Sequence, residues 1–88
     1  MFSTTVTVGS AVGLHARPAT IIAEAAAEYD EDIYLALVGE EDDEPTDAAS
    51  SLMIMALGAE KDDQVVVSSE NEAAMKKIAE LIEKDLDA

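Results

Sequence analysis

The sequence predicts an α+β fold, in which helices cover one face of a largely antiparallel β-sheet. Segments rich in β-branched residues alternate with segments of helical periodicity along the chain. Turns and short segments, rather than long crossovers, separate several of the predicted strands, which favours antiparallel pairing. With 88 residues, the chain can bury one two-layer core but not two. We therefore expect a single domain over residues 1–88.

The first strand and the first helix are predicted from the N-terminal third of the chain. Residues 2–8 alternate large apolar with small hydroxyl side chains, a pattern typical of a half-buried strand. A loop follows over residues 9–13. A helix is expected from Ala16 to Glu28, because Pro18 suits a first helical turn. The apolar residues that recur there at helical spacing are Ile22, Ala25, Ala26 and Tyr29.

The middle of the chain predicts a strand, an acidic segment and a short helix. Residues 33–38 form an apolar run that indicates a strand. The acidic segment Glu40–Asp47 contains a proline and predicts a solvated loop, with room for a short edge strand inside it. A short helix is expected to be capped by Ser50 or Ser51 and to run through Leu57, where a glycine ends it.

The C-terminal third predicts a last strand and an amphipathic helix. Residues 64–68 carry three consecutive valines, which indicate a strand. Ser69 and Glu72 have the spacing of a capping box, so we expect Ser69 to cap the helix that follows. The predicted apolar face of that helix consists of Met75, Ile78, Ile82 and Leu86.

Charge and composition exclude several classes of function. The chain has five basic and twenty acidic residues and a net charge of -15, so it repels nucleic acids and anionic membranes. No stretch approaches the roughly 18 consecutive apolar residues of a membrane span, and the N-terminus lacks a basic signal-peptide start. The absence of cysteine fits a cytoplasmic protein. The acids are spread over helices and loops, which favours a protein from a halophile over an acidic mesophilic one.

The only histidine and the only arginine of the chain lie two residues apart, at His15 and Arg17. Imidazole is the nucleophile of neutral pH, and guanidinium is a permanently charged fork that binds phosphate or carboxylate. If His15 caps the first helix, the backbone amides of Ala16 and Arg17 lie beside its ring at the positive end of the helix dipole. Gly13 allows the preceding loop an unusual backbone shape. The group of residues suits a phosphohistidine.

Three other interpretations of His15 carry less weight. A metal site would have one histidine, no cysteine and no carboxylate near in sequence, so no metal is expected. A hydrolytic triad lacks a nucleophile partner and a nucleophile-elbow pattern. A surface or capping histidine is the usual explanation of an isolated His-x-Arg pair. We do not prefer it here, because a wider pattern surrounds the pair.

Two motifs in register, residues 13–19 (GLHARPA) and residues 51–58 (SLMIMALG), resemble those of the histidine-containing phosphocarrier (HPr) family of the sugar phosphotransferase system. The resemblance implies an open-faced sandwich of four antiparallel strands and three helices. It implies that His15 takes a phosphoryl group on Nδ1 from enzyme I, charged by phosphoenolpyruvate, and passes it to an enzyme IIA histidine. Arg17 and the Ala16 amide would stabilise the phosphoryl group. Such a protein is a cytoplasmic carrier rather than an enzyme, needs no cofactor, and is most simply a monomer.

The resemblance also implies a docking surface for enzyme I and enzyme IIA. Its members by match of position are Thr20, Ile21, Leu52, Met53 and Ala56. Within the second motif, Leu52 and Met53 are expected to face partners, whereas Leu57 and one of its apolar neighbours, Ile54 or Met55, are expected to face the core. The sequence leaves the recipient open between a fructose-type enzyme IIA and a dihydroxyacetone kinase system.

Ser51 matches a serine that a kinase phosphorylates in some bacterial members of the family. A plain helix cap is the preferred interpretation, because Ser50 stands where relatives commonly have a basic or amide residue. A regulatory binding module, acting through Ser51 and the Leu52/Met53 surface, is the alternative function, although such relatives typically lack the histidine. A salt-tolerance protein with an inert His15 is a third interpretation.

Two departures from the family bear on docking. The segment Glu40–Asp47 is longer than relatives have, and Glu24 and Ile54 stand where some of them carry basic residues. Docking is therefore expected to depend on apolar contact more than on charge.

Overall fold

Three helices cover one face of a four-stranded antiparallel sheet in the computed structural model, which describes residues 1–41 and 44–86. The strands are β1 (Phe2–Thr7), β2 (Ile33–Leu37), β3 (Thr46–Asp47) and β4 (Gln64–Ser69). The helices are α1 (Ala16–Ala26), α2 (Ser51–Leu57) and α3 (Glu72–Glu83). The predicted α+β class and element order are confirmed, and β3 is the short edge strand for which the acidic segment had room. Asp42 and Asp43 of that segment lie outside the described residues.

The sheet has the strand order β1-β4-β2-β3, with every neighbouring pair antiparallel. Val67 of β4 lies opposite Thr4 of β1 and Leu35 of β2. Because side chains alternate between the two faces of a strand, this register places Val65, Val67 and Leu35 on the same face, where all three are buried. The helices pack on that face, and within residues 1–41 and 44–86 no helix covers the other face of the sheet.

The last helix begins two residues later than the capping box predicts. Ser69 is the final residue of β4 and is fully buried, and its hydroxyl accepts a hydrogen bond from the Asn71 amide at 3.1 Å. Asn71 is the cap, and its side chain accepts from the Ala74 amide at 3.2 Å. The prediction of Ser69 as the cap is wrong because pairing with the neighbouring strands extends β4 through that residue.

The first helix is shorter than its apolar periodicity predicts. It ends at Ala26 rather than Glu28, because the amides of Glu28 and Tyr29 donate to the carbonyls of Ala25 and Ala26, three residues back, at 3.2 Å. This tighter bonding closes the last turn. Tyr29 nevertheless packs against the core, as predicted.

The amphipathic face of α3 forms a large part of the core. Met75, Ile78 and Ile82 are buried, and Leu86, which lies beyond the end of the helix, is half-buried against them. The helix is too short to span a membrane, and no other helix in residues 1–41 and 44–86 is long and apolar enough to do so.

The loop between β1 and α1 is anchored to the C-terminal end of α3. The fully buried Ser10 hydroxyl donates to the Lys84 carbonyl at 3.2 Å and accepts from the Leu86 amide at 3.1 Å. The Gly9 amide donates to the Ile82 carbonyl at 3.0 Å. The segment that leads to His15 is therefore fixed by residues from the far end of the chain.

Replacing Ser10 with alanine is expected to reduce the free energy of unfolding by about 1–3 kcal/mol, because two backbone groups lose their hydrogen-bond partner in a partly buried place. Urea unfolding at fixed salt measures the change. Ser3→Ala is the matched control, since Ser3 is exposed on β1. Equal effects of the two substitutions would contradict the anchoring role of Ser10.

Candidate functional site

His15 occupies the N-cap position of α1, the position considered for it from the sequence. Its backbone is extended, with φ -123° and ψ 161°, and its side chain makes no capping hydrogen bond. The residue is exposed. A side chain at the cap that does not bond to the helix has its ring nitrogens available to a group arriving from outside.

Two backbone amides beside His15 have no acceptor within the described chain. The N–H groups of Ala16 and Arg17 lie in the first turn of α1, where helix geometry provides no intrahelical partner. Neither donates to a loop carbonyl or side chain in residues 1–41 and 44–86. Together with the positive end of the helix dipole, they form a site that favours a negatively charged group.

Ala16 has an unusual backbone conformation, with φ +48°. For a residue with a Cβ atom this left-handed region costs about 1–2 kcal/mol. The Thr20 hydroxyl donates to the Ala16 carbonyl at 3.1 Å, and the buried Pro18 and Ala19 pack the same helical turn into the core. The fold thus holds a strained residue between the histidine and the arginine.

Gly13 fixes the loop against the turn that follows α2. Its φ is +74°, and an added Cβ atom would lie 2.5 Å from the Ala59 carbonyl oxygen. The next amide, that of Leu14, donates to the same carbonyl at 2.9 Å. The predicted role of Gly13 is confirmed. Because Gly13 lies against the turn after α2, the position of the nearby His15 depends on the position of α2.

Arg17 is exposed and has no ion pair with any residue of the described chain. By contrast, three of the four lysines lie within 4.0 Å of a carboxylate oxygen. The tightest pair joins Lys84 to Glu80 at 2.9 Å, and this hydrogen bond lowers the pKa of the Glu80 carboxyl. In a chain with a net charge of -15, a guanidinium that has no ion pair among the described residues is available to an external anion at this helix terminus.

The second motif divides between surface and core in the expected manner. Leu52 is 76% exposed and Met53 is 38% exposed, whereas Ile54 is fully buried. Met55 and Leu57 are half-buried and pack against the core.

The predicted docking residues belong to two helices that pack against each other, α1 and α2. Thr20 and Ala56 are exposed, and Ile21 is half-buried. Met53 and Ala56 also line a groove between α2 and strands β2 and β3, where Glu40 and Glu44 contribute carboxylates. Met53 and Ala56 of α2 therefore have carboxylates beside them in this groove.

The short helix is capped by Ser50. Its hydroxyl accepts from the Met53 amide at 3.2 Å, and Gly58 ends the helix with φ +75°. Ser51 is the half-buried first residue of α2. The interpretation of Ser51 as the cap is wrong, because Ser50 supplies that bond, and phosphorylation of Ser51 stays a prediction.

Sequence reasoning did not find the contributions of Ser10, Ala59 and Thr20 to the geometry around His15. The contacts of Ser10 and Ala59 join segments far apart in the chain, and no local pattern indicates them. The side-chain bond of Thr20 has a local signal, since a threonine four residues after a helix start can reach the first carbonyl.

Comparison with known proteins gives a consistent result over nearly the whole chain. Residues 2–84 match a family model described as the PTS HPr component phosphorylation site. A phosphocarrier protein HPr of Streptomyces coelicolor is 38% identical over 85 residues, 93% of this chain and 88% of the relative. One of Haloferax volcanii is 41% identical over 70 residues, 80% of this chain and 76% of the relative.

Solved structures agree with the sequence comparison. The crystal structure of HPr-C-His from Thermoanaerobacter tengcongensis has a TM-score of 0.84 and 31% identity, covering 100% of this chain and 98% of its own. That of a phosphocarrier protein HPr from Bacillus anthracis has a TM-score of 0.81 and 25% identity, covering 92% of this chain and 95% of its own.

Proposed function

Because the chain belongs to the HPr family of phosphocarriers of the phosphotransferase system, we propose that His15 carries the phosphoryl group. The observation that carries this assignment is the N-terminus of α1. There an exposed histidine without a capping bond adjoins two amides that have no acceptor, and an arginine that has no ion pair, among residues 1–41 and 44–86. A phosphoryl group on the imidazole would find donors and positive charge on the same few residues.

The proposed transfer has two displacements at phosphorus. The lone pair of neutral Nδ1 of His15 attacks the phosphoryl group on enzyme I, a new N–P bond forms, and the bond to enzyme I breaks. A histidine nitrogen of enzyme IIA then attacks the same phosphorus, and the N–P bond to His15 breaks. Arg17 and the Ala16 and Arg17 amides stabilise charge on the three phosphoryl oxygens, because transfer depends on in-line placement and charge neutralisation.

An exposed site of this kind supplies half of the reaction centre. The chain contributes the nucleophile and the anion-binding groups, and each partner contributes the other half when it docks. This arrangement requires no bound cofactor, and it makes the protein a carrier rather than an enzyme with turnover of its own. We place it in the cytoplasm, with phosphoenolpyruvate-charged enzyme I, and as a monomer that docks with one partner at a time.

The docking surface proposed for both partners consists of Thr20, Ile21, Leu52, Met53 and Ala56. The methionine suits a surface that must fit two different proteins, since its flexible side chain repacks readily. The recipient proposed is a fructose-type enzyme IIA or the phosphotransfer subunit of a dihydroxyacetone kinase system.

Transfer from enzyme I is expected to persist at molar salt. Charges on the two partners are screened there within about 3 Å, so steering by charge is lost while apolar contact is retained. Transfer rates measured between about 0.1 M and 2 M salt check this expectation. Leu52→Ser should slow transfer across that range, whereas Lys76→Ser, on α3 beside β1, should not. Loss of transfer by the unaltered protein as salt rises would contradict the prediction.

The central test is phosphorylation by phosphoenolpyruvate and cognate enzyme I at high salt, followed by intact-mass analysis. We expect one acid-labile phosphoryl group on the unaltered protein and on Ser51→Ala, and none on His15→Ala. An unmodified protein, with an enzyme I shown to charge another carrier, would overturn the proposal and favour a regulatory module acting through Ser51 and the Leu52/Met53 surface.

A further inference from the structure

We propose that the Thr20 hydroxyl positions the phosphoryl group on His15 by fixing the peptide unit between Ala16 and Arg17. This inference rests on the proposed function of His15. Its basis is the hydrogen bond that the Thr20 hydroxyl donates to the Ala16 carbonyl oxygen at 3.1 Å. Thr20 was singled out in the sequence only as a docking residue, and this bond gives it a second role directed toward the reacting group.

The link between Thr20 and the site is the planarity of the peptide bond. The carbonyl of Ala16 and the N–H of Arg17 belong to one rigid planar unit and point in opposite directions. A hydrogen bond that fixes the carbonyl oxygen therefore fixes the direction of the Arg17 N–H. That N–H is one of the two amides beside His15 without an acceptor in the described chain.

The same bond strengthens the Arg17 amide as a donor. A carbonyl that accepts a hydrogen bond is polarised, and the polarisation makes the N–H of the same peptide unit more acidic and a better donor. The stronger donor serves an anion outside the helix, because the Arg17 N–H of this peptide unit points toward the N-terminus of α1. No acidic residue lies in the first turn of α1 to compete for the amide.

The conformation of Ala16 places backbone strain directly before this peptide unit. Its φ of +48° is a rotation about the N–Cα bond, so it turns the preceding peptide unit, whereas the Ala16 carbonyl belongs to the first turn of α1. The Thr20 hydroxyl adds a side-chain bond to this carbonyl beside the strained residue. Pro18 and Ala19, the next residues of the turn, have no side-chain donors. Within residues 1–41 and 44–86, Thr20 is the only side chain that donates to the Ala16 carbonyl.

The competing explanation is ordinary back-bonding of a threonine in a helix, which affects helix stability alone. The two explanations differ in the equilibrium of phosphorylation. A group that supports the phosphoryl site shifts the fraction of phosphorylated carrier at equilibrium. Loss of a docking contact changes only rates, because enzyme I acts as a catalyst and does not alter the equilibrium between two carriers.

The experiment is a competition between isotopically labelled unaltered protein and a variant, in one tube with phosphoenolpyruvate, pyruvate and enzyme I. Intact-mass analysis gives the phosphorylated fraction of each carrier. For Thr20→Val we expect roughly a threefold to tenfold lower ratio of phosphorylated to free carrier, the effect of one hydrogen bond. Thr20→Ser keeps the hydroxyl and should restore the ratio. Thr5→Val, on an exposed position of β1, is the matched control and should leave it unchanged.

A second readout follows the Arg17 amide directly. In the unaltered protein and in Thr20→Ser, the amide resonance of Arg17 should move on phosphorylation further than it does in Thr20→Val. If Thr20→Val matches the unaltered protein in both equilibrium and amide shift, the positioning role is overturned while the function of His15 stands. If the unaltered protein takes no phosphoryl group on His15, the proposed function fails and this inference fails with it.

Discussion

Replacing Gly13 with alanine is expected to reduce the free energy of unfolding by about 2–5 kcal/mol, the largest loss of stability that we expect near His15. Two costs add at this position. The φ of +74° lies in the left-handed region, and the new Cβ atom would lie 2.5 Å from the Ala59 carbonyl oxygen and 2.9 Å from the Glu60 Cα atom. Both neighbours are backbone atoms, so relief requires movement of the loop or of the turn after α2.

Gly58→Ala separates the two costs. Gly58 has a φ of +75°, nearly that of Gly13, but an added Cβ atom there meets nothing within 4 Å. Its replacement should cost only the conformational part, about 1–2 kcal/mol. Urea unfolding of both variants at the same salt concentration gives the difference. If the two substitutions cost the same, the contact between Gly13 and Ala59 does not constrain the loop.

The Gly13 variant should also lose function in the fraction that remains folded. Movement of the loop breaks or lengthens the bond from the Leu14 amide to Ala59, and the cap residue His15 follows next in the chain. We expect slower phosphorylation of Gly13→Ala than of Gly58→Ala at a salt concentration where both are folded. Equal rates would show that the loop can move without displacing the histidine.

Local patterns predicted most of the fold because each element shows its own signal in sequence. Consecutive valines indicate β4, and the spacing of apolar residues indicates α3. A serine and a glycine mark the two ends of α2. Each of these signals lies within a few residues of the element that it predicts. The wrong cap of α3 has a tertiary cause. Ser69 fits the capping pattern, but pairing with β1 and β2 draws it into the sheet, and Asn71 caps the helix instead.

The residues of the candidate site stand out in the sequence, but the contacts that hold them in place do not. The coincidence of the only histidine and the only arginine is visible in the sequence. The bonds of Ser10 to Lys84 and Leu86 join residues 74 and 76 positions apart, and such contacts follow from the packing of the complete fold. The positive φ of Ala16 is likewise a consequence of packing, since alanine has no preference for that region.

Replacing Arg17 with alanine is expected to slow phosphoryl transfer from enzyme I by about 10²–10³-fold, the usual effect of removing one charge-stabilising donor from a transfer site. Stability should change little, because Arg17 is exposed and has no ion pair within the described chain. Rapid-quench kinetics with saturating phospho-enzyme I measure the rate. Arg17→Lys should recover part of it, since an ammonium retains the charge but not the planar fork.

A slower rate could also follow from the more negative charge of the variant, and Lys76→Ala tests this explanation. It removes one positive charge from α3, where Lys76 lies 4.0 Å from Glu72 and packs near β1 rather than near His15. Screening at molar salt should abolish any general charge effect but leave a direct contact with the phosphoryl group. If Arg17→Ala and Lys76→Ala slow transfer alike, or if the defect of Arg17→Ala disappears at molar salt, Arg17 acts through long-range charge. A defect specific to Arg17 that persists at molar salt would instead place the guanidinium in contact with the phosphoryl oxygens during transfer.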